Sequence, residues 1–340
     1  MDRPTPRVSV VDAGMVTDEA RGMKILYLPL LAPEGASEQF DLADAFRQVA
    51  DLRVLDYLNT GVDPNIALRQ IFDEFAPDIV HAQYQGSNKI RPDLLAQLKK
   101  EKPGSWFTQW SGDVRPVPNE EMVEKGRIID STLLSAGGQC VMYDSAIGKR
   151  CCQYWQNAVG DRFLVEPIPV EERRGIVFCG HNYGIFPASE ERLSMVVLLY
   201  KFRPDETIIH GANWPCPCSS LPWIAQPNAY RRARMTVGHN HLNDIRWYWS
   251  DRQLLCMAAG VPHLARYTPG MEDWFEDGVD CLFWRSIPEL LSKVEWVENN
   301  PAEADAIGRQ GQERVRREHV WSVRVEQYLE MYTEWKRSYG

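Results

Sequence analysis

The groups best suited to hold an anion lie between Arg232 and Trp284. A strand-like run, Ala233 to Val237, passes into the polar loop Gly238-His239-Asn240-His241-Leu242-Asn243, and Tyr248-Trp249-Ser250-Asp251-Arg252 then opens a helix. Ser250 or Asp251 can cap that helix, its first N–H groups are free for an anion, and the forked guanidinium of Arg252 suits a phosphate. The same residues would serve equally as a plain cap and a surface ion pair. Candidates for proton transfer come earlier. Asp113 follows the strand-like Ser105–Trp110 and a Ser-Gly pair, so its carboxylate either deprotonates a hydroxyl or closes an Asx turn. His81 ends the strand-like Asp78–Ala82 and is read either as a cleft residue or as a hydrogen-bonded strand end. His181, His210, His239 and His241 also follow strands. Alternate residues of an extended segment point to opposite sides, so no metal site is expected from His239 and His241.

Strand-like and helix-like segments alternate along the chain, the pattern of parallel sheets with helices on both faces. Strands are read at Met23–Leu28, Leu52–Leu58, Asp78–Ala82 and Ser105–Trp110, with helices at Phe40–Val49, Ile66–Phe75 and Ile90–Lys100. Gln139–Tyr143 follows a further helix. Glu166 to Arg174 carries two prolines and five charged residues in place of a buried run, and reads as a domain boundary. A second series follows, with strands at Ile176–Cys179, Thr207–His210, Met235–Val237 and from Val261, and helices at 190–202, 252–259, 287–297, 302–319 and 323–335. The expected architecture is α/β: two Rossmann-like domains facing a cleft, spanning 1–168 (1–22 an extension) and 169–320, with a C-terminal helix in 321–340. Ligands in such sheets sit beyond the carboxyl ends of the strands.

The 340 residues suffice for two domains, and the 44% hydrophobic and 25% charged fractions are those of a globular protein. No apolar run approaches the ~20 residues of a membrane span, and the polar start Met1–Arg7 lacks a signal-like apolar core; a cytoplasmic protein is expected. A formal charge of −9 disfavours non-specific nucleic-acid binding. The eight cysteines are expected to be reduced. Most of the twelve Trp and thirteen Tyr are expected in cores, some for stacking on sugar or base rings. No strand-linked Gly-x-Gly-x-x-Gly supports a dehydrogenase.

The order of the pieces adds specificity. Ser250-Asp251-Arg252-x-Leu254-Leu255-Cys256-Met257-Ala258-Ala259-Gly260-Val261-Pro262 precedes Pro269-Gly270-Met271-Glu272-Asp273-Trp274-Phe275-Glu276-Asp277-Gly278, then Ser286-Ile287-Pro288-Glu289-Leu290, Gly311 and His319. This resembles the C-terminal domain of GT-B glycosyltransferases, particularly the spore-coat-type and phage or bacterial glycosyl transferase-like group. The resemblance covers residues 175 to 335; the N-terminal half is similar more loosely, through Pro77–His81 and Trp110–Asp113. It implies sugar transfer from a nucleoside-diphosphate sugar, most readily a UDP- or GDP-sugar, to an acceptor hydroxyl. The donor would touch Gly180, His181, Asn182, Gly211, Asn213, Asn240, Asn243, Ser250, Asp251, Arg252, Glu272 and Asp273. Asp113 and His81 would act at the acceptor or the transferred sugar, Arg252 at the leaving diphosphate, with no cofactor and no metal. The resemblance also implies a last helix crossing back onto the first domain. Leu255 departs from the pattern, since many retaining members carry there a Glu that grips the ribose. The acceptor stays open: a glycan, a small molecule, a protein side chain or a hydroxylated phage DNA base. So do a nucleotide-sugar epimerase of the same fold and a catalytically silent module that binds a sugar nucleotide or glycan.

Overall fold

The computed structural model describes residues 22–30, 38–84 and 88–339. Except for Gly22, the extension read over 1–22 lies outside the described residues, as do residues 85–87 of the loop after the third strand.

Two parallel sheets organise the chain. The first contains β1 (Lys24–Leu28), β2 (Asp51–Val54), β3 (Ile79–Ala82), β4 (Trp106–Ser111), β5 (Ser131–Leu134) and β6 (Cys152–Tyr154), in the order β2-β1-β3-β4-β5-β6. Its helices are α1 (Glu38–Val49), α2 (Pro64–Phe75), α3 (Pro92–Glu101), α4 (Glu120–Gly126) and α5 (Cys140–Ile147). The second holds β7 (Ile176–Cys179), β8 (Thr207–His210), β9 (Met235–Gly238), β10 (His263–Arg266) and β11 (Leu282–Trp284), in the order β11-β10-β9-β7-β8. With it go α6 (Ser189–Phe202), α7 (Gln226–Tyr230), α8 (Asp251–Met257), α9 (Ile287–Asn299) and α10 (Pro301–Glu318), and α11 (Trp321–Tyr339) closes the chain. Local chemistry explains several ends. Asp63 accepts the N–H of Asn65 at 2.8 Å and Pro64 occupies the first turn of α2, which stops before Pro77 with Ala76 left-handed. Ser286 accepts the N–H of Glu289 at the start of α9. Cys140 to Ile147, expected only to follow a helix, is itself one.

Both sheets change winding direction once. In the first, the chain turns back between β1 and β3; in the second, between β7 and β9. Such switch points leave a crevice at the strands' carboxyl ends.

The last helix belongs to the first sheet. Trp321, Val325 and Tyr328 of α11 are buried with Tyr27, Leu42, Phe46, Trp106, Trp110 and Trp155. Trp155 Nε1 donates to Arg324 O at 2.9 Å, and Trp321 N donates to Val159 O at 3.1 Å.

This return removes His81 from the set of site residues. The side chain is fully buried, with ring centroids 5.5 Å from Tyr27, 5.6 Å from Phe46 and Trp155, and 5.0 Å from Tyr328. Its Nδ1 lies 2.8 Å from Thr108 Oγ1, which in turn lies 2.8 Å from Tyr328 Oη. His81 therefore packs under α11 and lines neither of the cleft cavities. Burial drives its pKa down to about 3, and the same cause gives His263 a value of about 3. In the unfolded chain these rings protonate near pH 6.5. Between that pH and 3 the unfolded state binds more protons, so stability falls as pH falls through the window. The expected melting temperature is flat above pH 7 and declines between pH 6.5 and 5, above the carboxylate range. His81→Phe should remove part of that slope; a melting temperature unchanged from pH 7 to 5 would contradict the burial.

Candidate active site: a cleft lined by both sheets

A cavity of about 550 Å³ opens where the two switch points face each other. From the first sheet it is lined by Leu30 beyond β1, Gln39 on α1, Gln83 beyond β3, Gly112 to Arg115 beyond β4, and Asn157 beyond β6. From the second it is lined by Tyr183, Ile185 and Phe186 beyond β7, His241 and Tyr248 beyond β9, and Ser250, Asp251 and Arg252 at the start of α8.

Asp113 is placed there by the turn after β4. Ser111 Oγ donates to Asp113 O at 2.9 Å and Ser135 Oγ to Gly112 O at 2.9 Å, so the backbone is tied from both sides. A side chain at Gly112 would come within 2.9 Å of Asn157 Oδ1 and 3.2 Å of the Trp110 ring, which keeps this turn tight. The Asp113 carboxylate closes no Asx turn: its side chain is 70% exposed and its ion-pair partner is Arg115, at 4.0 Å. Though its side chain opens into the cleft, the walls close around it leave it less hydrated than a free carboxylate, and this desolvation raises its pKa above the ordinary aspartate value. Arg115 opposes that rise, the Asp251 carboxylate across the cleft adds to it, and Arg252 opposes it. Those influences place the proton-accepting candidate and the anion-binding candidates in one electrostatic field.

Arg252 stands at a junction. It lines the large cavity and also an adjoining one of about 180 Å³ formed by Cys179, Gly180, His181, Gly211, Ser220, Leu221, Trp223, Gln226 and Asp251. Desolvation disfavours its charge, but Asp251 and other nearby groups raise its pKa and hold it cationic. Ser250 occupies the cap position of α8 without a side-chain cap bond, and its N–H is taken by Asn240 Oδ1 at 2.9 Å.

A second guanidinium, unmarked in the sequence, lies behind this cavity. Arg192 of α6 is 1% exposed, donates from Nη1 to His239 O, and leaves Nε and Nη2 without partners. It lies over the rings of Phe178 (4.9 Å) and Trp214 (5.9 Å). Burial and the neighbouring charge of Arg252 lower its pKa to about 9. The two like charges lie within each other's field, and Arg192 has no ion-pair partner among the described residues. Burial, aided by the same two cations, pushes His241 down to about 3, so it is neutral where it stacks on Phe186 at 4.3 Å.

The glycines of this corner are fixed by close approach. Gly180 has φ 154° and a Cβ there would meet Arg192 Nη2; Gly211 has φ 138° and a Cβ there would sit 2.0 Å from Gly180 O. Only glycine lets the loops after β7 and β8 meet.

The expected donor residues divide into three groups. Gly180, His181, Gly211, Ser250, Asp251 and Arg252 line the two adjoining cavities. Asn182, Asn213, Asn240 and Asn243 line neither. Asn182 Nδ2 donates to Asn213 O at 3.3 Å, and Asn240 and Asn243 bond to each other while Asn240 braces Ser250, so these four shape loops. Glu272 and Asp273 border a separate cavity of about 500 Å³ with Tyr267, Arg285 and Arg314. They are turned there because Asp273 accepts from Trp247 Nε1 at 2.7 Å and Glu272 from Tyr267 Oη at 3.1 Å. Leu255 is 1% exposed and packs in the core under α8, so no ribose contact comes from that position.

Trp247 also clasps the halves together. It is left-handed at φ 56°, and Cβ atoms placed on Gly137 of the first half and Gly270 of the second would each come within 2.5 Å of its ring. Gly138 N donates to Arg246 O at 2.9 Å beside it.

Residues 197–330 match the family model described as glycosyl transferase-like. No curated protein matches the chain. Among solved structures, HepE of Anabaena in complex with UDP and glucose aligns with a TM-score of 0.65 at 12% identity, covering 92% of this chain and 99% of that one. Sucrose-phosphate synthase of Thermosynechococcus elongatus aligns with a TM-score of 0.62 at 10% identity, over 93% and 100%. A glycosyltransferase of Rickettsia africae aligns with a TM-score of 0.59 at 12% identity, over 92% and 98%. Two switch-point sheets around one cleft, with a second half in which residues 197–330 match a glycosyl transferase-like family, give the chain the GT-B fold.

Proposed function

We propose that the protein moves a glycosyl unit from a UDP-sugar to an acceptor hydroxyl in this cleft. One observation carries the reading: a single cavity has Asp113 on one wall and Arg252 on the other. Arg252 binds the diphosphate and Arg192 adds its charge from behind Gly180. His181 and the glycines Gly180 and Gly211 border the diphosphate, and Asp113 accepts the proton of the attacking hydroxyl. The new bond forms between that oxygen and the anomeric carbon as the anomeric bond to the diphosphate breaks. Its electron pair leaves on the nucleotide, where the two guanidiniums offset it. They supply the charge a divalent ion would otherwise bring, so the reaction needs no metal. Anabaena HepE, solved with UDP-glucose, supports the choice of nucleotide. The eight free thiols and the lack, among the described residues, of a helix able to cross a membrane favour work in the cytoplasm.

The test is a thermal-shift series with UDP, GDP, ADP, CMP and their sugar conjugates, with and without Mg²⁺. At a hundredfold excess over Kd, binding to the native state alone stabilises by about 2.7 kcal/mol, an upward shift of several degrees for chains of this size. UDP is expected to give that shift, unchanged by Mg²⁺. A shift with another nucleotide alone would transfer the reading to that donor class, and none with any nucleotide would end it.

A further inference from the structure

The wall that faces Arg252 is built of amides. Gln39, Gln83 and Asn157 border the cleft, yet they are only 5%, 2% and 3% exposed. Gln39 takes the Tyr27 hydroxyl on Oε1, and Gln83 takes the N–H of Leu30 on Oε1 at 3.4 Å. Asn157 is the unsatisfied member: its Oδ1 is buried with no partner among the described residues, and its Nδ2 reaches Gly112 O only at 3.5 Å. A buried carbonyl oxygen with no donor is costly, and a ligand hydroxyl would relieve it.

The charges beside it set the class of that ligand. Among the described residues, the one base on this wall bordering the cavity is Arg115, 4.0 Å from the Asp113 carboxylate. Asp113 and Asp251 both border the same space. With Arg252 given to the donor diphosphate, a phosphate or carboxylate on the acceptor would meet two acids and only Arg115, partly engaged by Asp113. An amide offers two donors and an acceptor without charge, which matches a neutral hydroxyl as either partner. Beyond β7 the opposite wall is apolar, apart from the polar start of α8: Tyr183 is 53% exposed, Ile185 79%, and Phe186 lies stacked on a neutral His241. A ring with hydroxyls at its edge and C–H bonds on its face fits between the two.

We propose that the acceptor is a neutral sugar residue whose hydroxyls are held by Gln83 and Asn157 with one hydroxyl at Asp113, its C–H face against Tyr183 and Ile185. The proposal rests on the transferase reading above.

Saturation-transfer NMR at saturating UDP tests it. The probes are methyl glucoside, galactoside and mannoside in both anomeric forms and N-acetylglucosamine, set against glucose 6-phosphate and glucuronate. At least one neutral sugar should bind and the two anionic ones should not. Asn157→Ala and, independently, Gln83→Ala should each weaken that sugar about tenfold, the loss of one hydrogen bond to a buried partner, while the UDP Kd measured by calorimetry stays as it was. Preference for an anionic probe, no neutral sugar bound in the presence of bound UDP, or equal loss of UDP affinity in both variants would each overturn the proposal while leaving donor binding intact. Failure of the unaltered protein to bind UDP would instead remove the donor reading and this one with it.

Discussion

Arg252→Ala should lower kcat/KM by about two to three orders of magnitude, the usual loss when one preorganised donor to developing negative charge is removed. The loss should appear in UDP affinity as well as in turnover, because Arg252 borders both adjoining cavities. Arg252→Lys keeps the charge but not the fork, and should recover only part of it. Arg192 adds a second arm to the test. It is buried with two unpaired nitrogens and lies in the field of Arg252, so Arg192→Met should weaken UDP binding while easing the repulsion between the two cations. The apo protein would then melt no lower, and UDP would raise its melting temperature less. Calorimetric titration with UDP and single-turnover kinetics at saturating UDP-sugar read both effects. If Arg252→Ala leaves UDP affinity and turnover at saturating donor unchanged, the diphosphate does not bind here.

The second large effect is that of Asp113→Asn, expected to cut transfer by about two to four orders of magnitude, the range for a positioned base. The substitution keeps the shape of the turn, whose hydrogen bonds run through the backbone at Gly112 and Asp113, so UDP binding should survive. The pH profile separates a base from a structural part. Transfer needs the ionised carboxylate, so the rate should fall as pH drops through its pKa. That fall should come above the ordinary aspartate range, because the cleft walls and Asp251 raise the value against Arg115 and Arg252. The variant should lose that acid limb. A variant with wild-type turnover, or with the same acid limb, would place the base elsewhere.

Much of this arrangement is legible in the sequence, for reasons that also mark where legibility stops. Asp113 sits two residues beyond β4 and Arg252 at the start of the helix after the loop that leaves β9, on the side where open parallel sheets place ligands. Arg192 carries no such mark: it lies within α6, one charged residue among several on a helix, and its significance comes from burial against Phe178 and Gly180. His81 sits at a strand end, as Gln83 nearly does, yet α11 covers one and the cleft receives the other. That distinction is made by residues about 240 positions away and has no local signature. Glu272 and Asp273 are close in sequence to the helix that carries Arg252, but Trp247 holds their loop on another flank. The strands β5, β6 and β11 run only three or four residues, too short for alternation to show.

The return of α11 has a consequence for the order in which the protein can be built. The ribosome releases the first sheet early, with Tyr27, Phe46, Trp106 and Trp155 waiting for Trp321, Val325 and Tyr328. Until those last residues emerge, the first half lacks one wall of its core, while the second half has every strand and helix it needs. Contacts of such long sequence separation close slowly and leave apolar surface uncovered meanwhile. The half synthesised first is thus the half completed last, and a chain stopped short of α11 loses the integrity of the domain farthest from the break.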